Sequence, residues 1–521
     1  MQINLPNKKT VEQKTFKQKA IAKKAIIVGA GFGGLAAALR LRALGYQVTV
    51  LDKLDGAGGR ARTFARGKFV YDAGPTVLTA PILFEELFVL FGEKLSDFVT
   101  LLPVKPWYRM QFADGKTLDY GGDTANIQAE IAKFSQADAQ NYPQFLAHTE
   151  AIFKVGYEKY GDKPFSTWRN MLAALPQLIR FRADRSVYDT TAKFFKHDSV
   201  RRAFSIQPQL VGGNPFNTTS IYSLIHFLER KWGIWYPQGG MRALVNALVA
   251  CGQRADVKYE FNQTVTGLQL ENSRVTGVKL ANGKTLQADV IVTNADPAFV
   301  YQHWLGDINS SQKAAKPFLH GQPFLHGHYQ HSMSLFVWYF STKKIYKNVQ
   351  HHTILFGNEY RKTLTNIFDK KILDNDLSIY LHRPAATDAS HPSDHDSFYA
   401  LVPVPNLSAA IDWATAAPAL RKRLGEMLQT KILPDLENQL IDDFYITPNY
   451  FETELQSILG AGFGIQPTFF QSAKFRYQNQ SNIKNLYFVG ASTHPGAGVP
   501  GVVLSAKVLE KIVLESMLKH E

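Results

Sequence analysis

The densest chemical signal in the chain is Gly29-Ala30-Gly31-Phe32-Gly33-Gly34, which fits G-x-G-x-x-G. That spacing suits a tight turn that brings backbone N–H groups against a pyrophosphate at a helix N-terminus. Its flanks make it specific. Ala25 to Val28 is β-rich, Phe32 to Leu44 is rich in Ala and Leu, and Gln47 to Leu51 carries alternating valines, so the region reads as one strand–helix–strand unit. Asp52 falls at the tip of the second strand, where a carboxylate can accept both ribose hydroxyls of an adenosine; a 2′-phosphate is thereby disfavoured. These residues predict a dinucleotide site and leave NAD and FAD both open.

A second constellation lies near the other end of the chain. Gly490, Gly496, Gly498 and Gly501 let backbone approach a flat ring, while Pro495 and Pro500 fix the path and remove competing donors. A helix N-terminus is expected near Val502, with its positive end available to negative charge.

Gly58-Gly59-Arg60 follows the second strand closely, and with it the chain resembles the flavoprotein group that includes amine oxidases, protoporphyrinogen oxidases and carotenoid desaturases. Asp72-Ala73-Gly74-Pro75, the segment Val211 to Phe216 (VGGNPF), Trp235-Tyr236-Pro237-Gln238-Gly239-Gly240 and the run Asn485 to Gly501 sharpen this. Together they resemble the bacterial-type phytoene desaturases of the FAD-dependent carotenoid/retinoid oxidoreductase family, from about Ala25 to Leu514.

The resemblance implies FAD as cofactor and, in carotenoid biosynthesis, successive desaturation of phytoene towards neurosporene or lycopene. The fold implied is α/β: a Rossmann-like FAD-binding domain of the glutathione-reductase/amine-oxidase type, a substrate domain and a helical membrane-facing subdomain. Cofactor contacts are expected from Gly29, Gly31, Gly33, Gly34, Asp52, Gly59, Arg60, Val265, Gly490, Thr493, Pro495, Gly498 and Val499, with Arg60 as a charge-assisted donor to the pyrophosphate. Hydride loss beside a conjugated triene leaves a delocalised cation that must then shed a vicinal proton, the hard step being the cofactor's. His494 and Glu150 are the candidate catalytic residues for that proton. No metal ligand set is expected.

Four positions depart from the family pattern. Asp52 stands where relatives commonly have Glu, Ala491 where many amine oxidases have an acid, and Ala147 and Glu150 where relatives carry an Asp and Arg pair. The second departure points away from amine oxidases. Desaturases of diapo-, hydroxy- or methoxy-carotenoids, and the related carotenoid oxygenases and isomerases, are the alternatives within the same resemblance.

The elements that must position these residues divide as follows: residues 1–24 a basic tail, 25–140 the first part of the FAD-binding domain with a substrate-domain insert, 141–235 a helical membrane-facing subdomain. Residues 236–300 then return to the FAD-binding domain, 301–480 form the substrate domain, and 481–521 close the FAD-binding domain. Asn282-Gly283 marks a hairpin, Leu335 to Phe340 and Phe398 to Val404 read as strands, and Leu420 to Ile432 as a helix.

The chain has 521 residues, a net charge of +14 and a single cysteine, Cys251. One cysteine excludes an intramolecular disulfide or a cysteine metal cluster and suits a reducing cytoplasmic setting. The positive charge calls for an anionic partner. No nucleic-acid motif accompanies it, whereas aromatic residues sit among the basic ones, which favours the inner face of the cell membrane. Trp168, Met171, Leu172, Leu175, Leu178, Ile179 and Phe181, interleaved with Arg169, Arg180, Arg182 and Arg185, form the most membrane-like stretch. Lys8, Lys9, Lys14, Lys17 and Lys19 precede the first strand without a following apolar run, so no signal peptide is expected, and no apolar run is long enough to span a bilayer. Quinone or oxygen is the expected electron acceptor.

Overall fold

The computed structural model describes residues 23–166, 168–305 and 329–518. Residues 1–22 of the lysine-rich tail and 306–328 of the expected substrate domain lie outside the described residues.

A buried parallel sheet holds the two glycine-rich segments. β1 (Lys24–Val28) and β2 (Gln47–Leu51) pair in parallel, and the sheet order is Leu486–Phe488, Val290–Thr293, β1, β2, Lys258–Glu260. Val290–Thr293 is buried at every position, as a strand covered on both faces requires. The helix α1 (Phe32–Ala43) is buried from Phe32 through Leu41 and shares one apolar cluster with the C-terminal helix Val499–Leu518. Its one buried cation, Arg40, is paired with Glu510 at 2.6 Å and Glu86 at 3.1 Å. The closing helix begins at Val499, three residues before the position expected from sequence.

Asn282-Gly283 makes the expected turn, with Gly283 at φ +83°, and joins Arg274–Leu280 to Thr285–Gln287 in a three-stranded antiparallel sheet led by Val265–Glu271. Cys251 is buried in the helix Met241–Arg254, its thiol pushed up to about 12 by desolvation, so it is inert packing.

The larger sheet has seven strands, in the order Leu440–Ile446, Ser334–Thr342, Asp396–Val404, Ile379–His382, His352–Leu355, Tyr108–Gln111, Thr117–Tyr120. Ser334–Thr342 shows how it divides the molecule. Leu335, Val337 and Tyr339 face one apolar cluster, while Phe336, Trp338 and Phe340 face another built on the helix Trp413–Lys431. That helix starts seven residues before the stretch read from sequence because Asp412 caps it, accepting from the Ala414 N–H at 3.0 Å. The helix Gln136–Phe153 joins the apolar clusters of the two sheets, Tyr142 and Phe145 packing with the large-sheet residues and Phe153 in the cluster of α1, as does Leu228 of the helix Leu224–Trp232, while Met171 and Ala174 of the helix Trp168–Arg180 pack on Phe165. Among the described residues, no helix is long and apolar enough to cross a membrane.

Candidate active site

The first glycine turn is built by close approach. Gly29 has φ +99° and donates its N–H to the Leu51 carbonyl at 2.7 Å, while a Cβ on Gly34 would lie 1.9 Å from the Gly29 carbonyl oxygen. Gly34 therefore serves helix-on-strand packing, and neither it nor Gly33 reaches the cavity below. Gly58 donates to the Ala30 carbonyl at 2.9 Å, which lays the second glycine pair and Arg60 along the first turn.

Asp52 is buried at the end of β2. One carboxylate oxygen accepts from the Ala30 N–H at 2.6 Å and the other from Leu54 N–H at 2.9 Å. Burial raises its pKa, and these two N–H groups act against that rise. Each oxygen keeps a lone pair for a hydroxyl donor.

The Arg60 guanidinium is desolvated enough to lower its pKa. Its Nη2 donates to Ser457 Oγ, and its Nε has no hydrogen-bond partner. An orphaned, buried cationic donor beside two glycine turns fits a pyrophosphate, whose oxygens would satisfy it.

The C-terminal loop completes the cradle. Gly490 (φ +110°) and Gly498 (φ +90°) line the cavity with Ala491, His494, Pro495 and Val499. Arg476, fully buried, fixes this loop by donating to the carbonyls of Thr493 at 3.0 Å and Ala491 at 2.6 Å. Asn479 donates to the carbonyls of Phe488 and His494. Thr493 departs from expectation: it is buried, its hydroxyl donates to the Gly490 carbonyl at 2.8 Å, and it does not reach the cavity.

Gly29, Gly31, Gly59, Asp52, Arg60 and Val265 line the same cavity, which holds about 560 Å³ and continues from the glycine turns into an apolar chamber. Leu335, Val337, Ile354 and Leu401 of the seven-stranded sheet form one wall; Met171, Ala174 and Leu178 of the Trp168–Arg180 helix form another. That helix presents Leu172 and Ile179 outward at 63% and 65% exposure, with Phe470 nearby in the chain of rings Trp168–Phe475–Phe470 at 66%.

The two catalytic candidates part company here. Glu150 projects from the Gln136–Phe153 helix away from the cavity and pairs with Lys154 at 2.7 Å, one helical turn on. Helix phase carries it to the surface, which removes it as a proton acceptor. His494 does line the cavity. Its Nε2 donates to the Lys163 carbonyl at 3.0 Å, its Nδ1 is unpartnered, and burial pulls its pKa down to about 4, so the ring is a neutral, weak base.

A stronger base lies in the chamber wall where no motif pointed. Glu229 is buried, accepts from Tyr108 at 3.1 Å and Tyr120 at 2.9 Å, and its pKa is raised to about 7 by desolvation. Tyr120 in turn accepts from His226 Nδ1 at 2.6 Å, and Tyr142 donates to His226 Nε2 at 3.3 Å. Asn294 was equally silent in sequence. It follows Val290–Thr293, and a Cβ on Gly33 or Gly490 would meet its Oδ1 at 2.6 or 2.7 Å, so the glycines make room for its carboxamide at the cavity edge.

A family model described as flavin containing amine oxidoreductase matches residues 32–508. A lycopene-forming phytoene desaturase of Pseudescherichia vulneris is 44% identical over 495 residues, covering 94% of this chain and 99% of the relative. The chain belongs to the phytoene desaturase family. A neurosporene-forming phytoene desaturase of Rhodobacter capsulatus is 37% identical over 501 residues, covering 94% of this chain and 93% of its own length. Among solved structures, an oxidoreductase of Methanosarcina mazei (TM-score 0.62, 14% identity, covering 94% of this chain and all of that one) shares the fold. A putrescine oxidase variant does so too (TM-score 0.60, 13% identity, 95% and 99% covered). As a member of the phytoene desaturase family, the protein is an FAD-dependent oxidoreductase acting on CH–CH bonds.

Proposed function

We propose that the protein desaturates phytoene in successive steps towards neurosporene or lycopene. The observation that carries this reading is the continuous cavity that begins at the glycine turns and runs on between apolar walls, Leu335, Val337, Ile354 and Leu401 on one side and Met171, Ala174 and Leu178 on the other. A long hydrocarbon asks for such walls.

Gly29, Gly31, Gly59, Asp52, Arg60, Val265, Gly490, Pro495, Gly498 and Val499 would hold the FAD, Asp52 at a ribose and Arg60 at the pyrophosphate. When bound, FAD supplies the two-electron acceptor for hydride taken from an allylic carbon. The chain's own work is to hold the polyene against that cofactor, exclude water through the apolar walls, and accept the vicinal proton. Glu229 takes the proton in this reading: its carboxylate is near neutral in pKa, and Tyr120 and Tyr108 hold it in place. His494 positions the loop through Lys163.

Uptake of substrate runs through the Trp168–Arg180 helix. Its inner face, Met171 and Ala174, lines the chamber, and its outer face offers Leu172 and Ile179 to lipid with Arg169 and Arg180 exposed beside them. The protein then sits peripherally on the inner face of the cell membrane, and quinone or oxygen accepts the electrons.

Incubating the FAD-loaded protein with phytoene in anionic liposomes, under air or with a quinone, tests the reading by chromatography of the extracted carotenoids. Products with lengthened conjugation are expected. Recovery of phytoene alone, alongside conversion of a diapo- or hydroxylated carotenoid, would move the assignment to those substrates.

A further inference from the structure

Three histidines that the reaction does not use gather outside the cavity. His352 and His382 are directly opposed partners across the strands His352–Leu355 and Ile379–His382, and His351 precedes the first of these. The rings converge, with centroids 4.4 Å apart for His351 and His352, 4.8 Å for His351 and His382, and 5.7 Å for His352 and His382. All three are buried, at 1%, 0% and 2% exposure, and one nitrogen from each lies within 4.8 Å of the others.

Of their six ring nitrogens only His352 Nδ1 has a hydrogen-bond partner, the Tyr380 hydroxyl at 2.6 Å; the other five have none. Buried polar atoms left without partners destabilise a fold, and five in one place call for a common ligand. The nearest anion is Asp72, whose Oδ2 lies 3.8 Å from His382 Nε2. It accepts from the Tyr236 hydroxyl at 2.8 Å and the Met241 N–H at 3.0 Å, and each oxygen retains a lone pair. The neighbouring cation, Arg383, is already paired with Asp396 at 2.7 Å.

We propose that His351, His352 and His382, with the Asp72 carboxylate, form a site for a divalent transition metal, zinc foremost. Imidazole nitrogens and one carboxylate are the donors that ion prefers, in tetrahedral array. Zn–N bonds of about 2.0–2.1 Å set the nitrogens roughly 3.4 Å from one another, so the three nitrogens, now within 4.8 Å, would draw together on binding. If His352 donates Nδ1–H to Tyr380, its Nε2 is bare and aimed by that bond, the usual outer-shell arrangement of a metal-bound histidine. The Tyr380 hydroxyl also meets Thr76 Oγ1 at 2.7 Å, and both residues line the chamber. The metal is thus structural: it ties Asp72 to a strand pair of the large sheet and fixes Tyr380 in the cavity wall.

Untagged, FAD-loaded protein purified without chelator is analysed for metals by mass spectrometry, and a second preparation is grown in cobalt-supplemented medium. About one zinc per chain is expected, with visible d–d bands of tetrahedral Co²⁺ in the second preparation and loss of most of the metal, with FAD retained, in His351→Asn and His382→Asn. Protein that carries only trace metal and shows no Co²⁺ bands overturns the proposal. So does a folded His351→Asn/His382→Asn double variant that keeps its metal. The wild-type content and spectrum decide the matter even where a variant does not fold.

Discussion

Arg60 and Glu229 are both desolvated charges, and each is buried for what it would meet. Arg60 has an unpartnered Nε that a pyrophosphate would satisfy. Arg60→Ala therefore removes a charge-assisted contact of about 1.5–3 kcal/mol, and roughly a 10- to 150-fold weaker FAD affinity is expected by fluorescence titration of the apoprotein. Glu229→Gln keeps the shape of the carboxyl and removes its basicity; turnover is expected to fall about 10²- to 10⁴-fold with FAD content unchanged. In the wild type the rate should rise with pH through about 7, the value to which burial pushes Glu229. The variant should lack that limb.

Stability carries the opposite sign. Because the folded-state pKa of Glu229 is raised from 4.5 to about 7, its protonated form stabilises fully below the unfolded value and that contribution is lost as pH rises through 7. The shift corresponds to on the order of 3 kcal/mol, so denaturant midpoints measured at pH 5 and pH 8 should lie closer together in Glu229→Gln than in wild type. Asp52 and the glycine turns were legible because local spacing encodes them, whereas Arg60 stood out only through the family resemblance of Gly58-Gly59-Arg60. Glu229, Asn294 and Arg476 were not legible, since each acts through contacts with elements distant in sequence, and Glu150 misled because helix phase turned it outward.

At the scale of elements, the first turn of α1 tolerates no side chain at Gly34. A Cβ on Gly34 would overlap the Gly29 carbonyl oxygen at 1.9 Å, so Gly34→Ala should push the helix off the strand and yield protein without FAD, read as absorbance per chain. The Trp168–Arg180 helix makes a separable prediction. Removing the exposed apolar surface in Leu172→Ser/Ile179→Ser, about 1.5–3 kcal/mol for each side chain if fully buried in lipid, should lower liposome binding at least tenfold in a sedimentation assay. Detergent-delivered substrate should be turned over as before; equal binding of wild type and variant would remove this helix from the membrane contact.

The strand–helix–strand unit and the Asn282-Gly283 hairpin were readable because their partners adjoin in sequence. The seven-stranded sheet was not, because Tyr108–Gln111 pairs in parallel with His352–Leu355 across more than two hundred residues, and no short-range pattern encodes that register.

For the whole molecule, the parallel sheet presents the glycine turns at the chamber's end, and the large sheet walls the chamber with one face while its other face packs on Trp413–Lys431. The full-length family match follows this division, since the similarity spans both sheets. The proposed function requires that electrons pass directly from phytoene to the bound flavin in this chamber. Anaerobic mixing of FAD-loaded protein with phytoene in liposomes tests it, with flavin absorbance and the polyene spectrum followed together. Bleaching of the flavin band in step with new long-wavelength polyene bands is the predicted result. Flavin that stays oxidised while phytoene is recovered unchanged would contradict it.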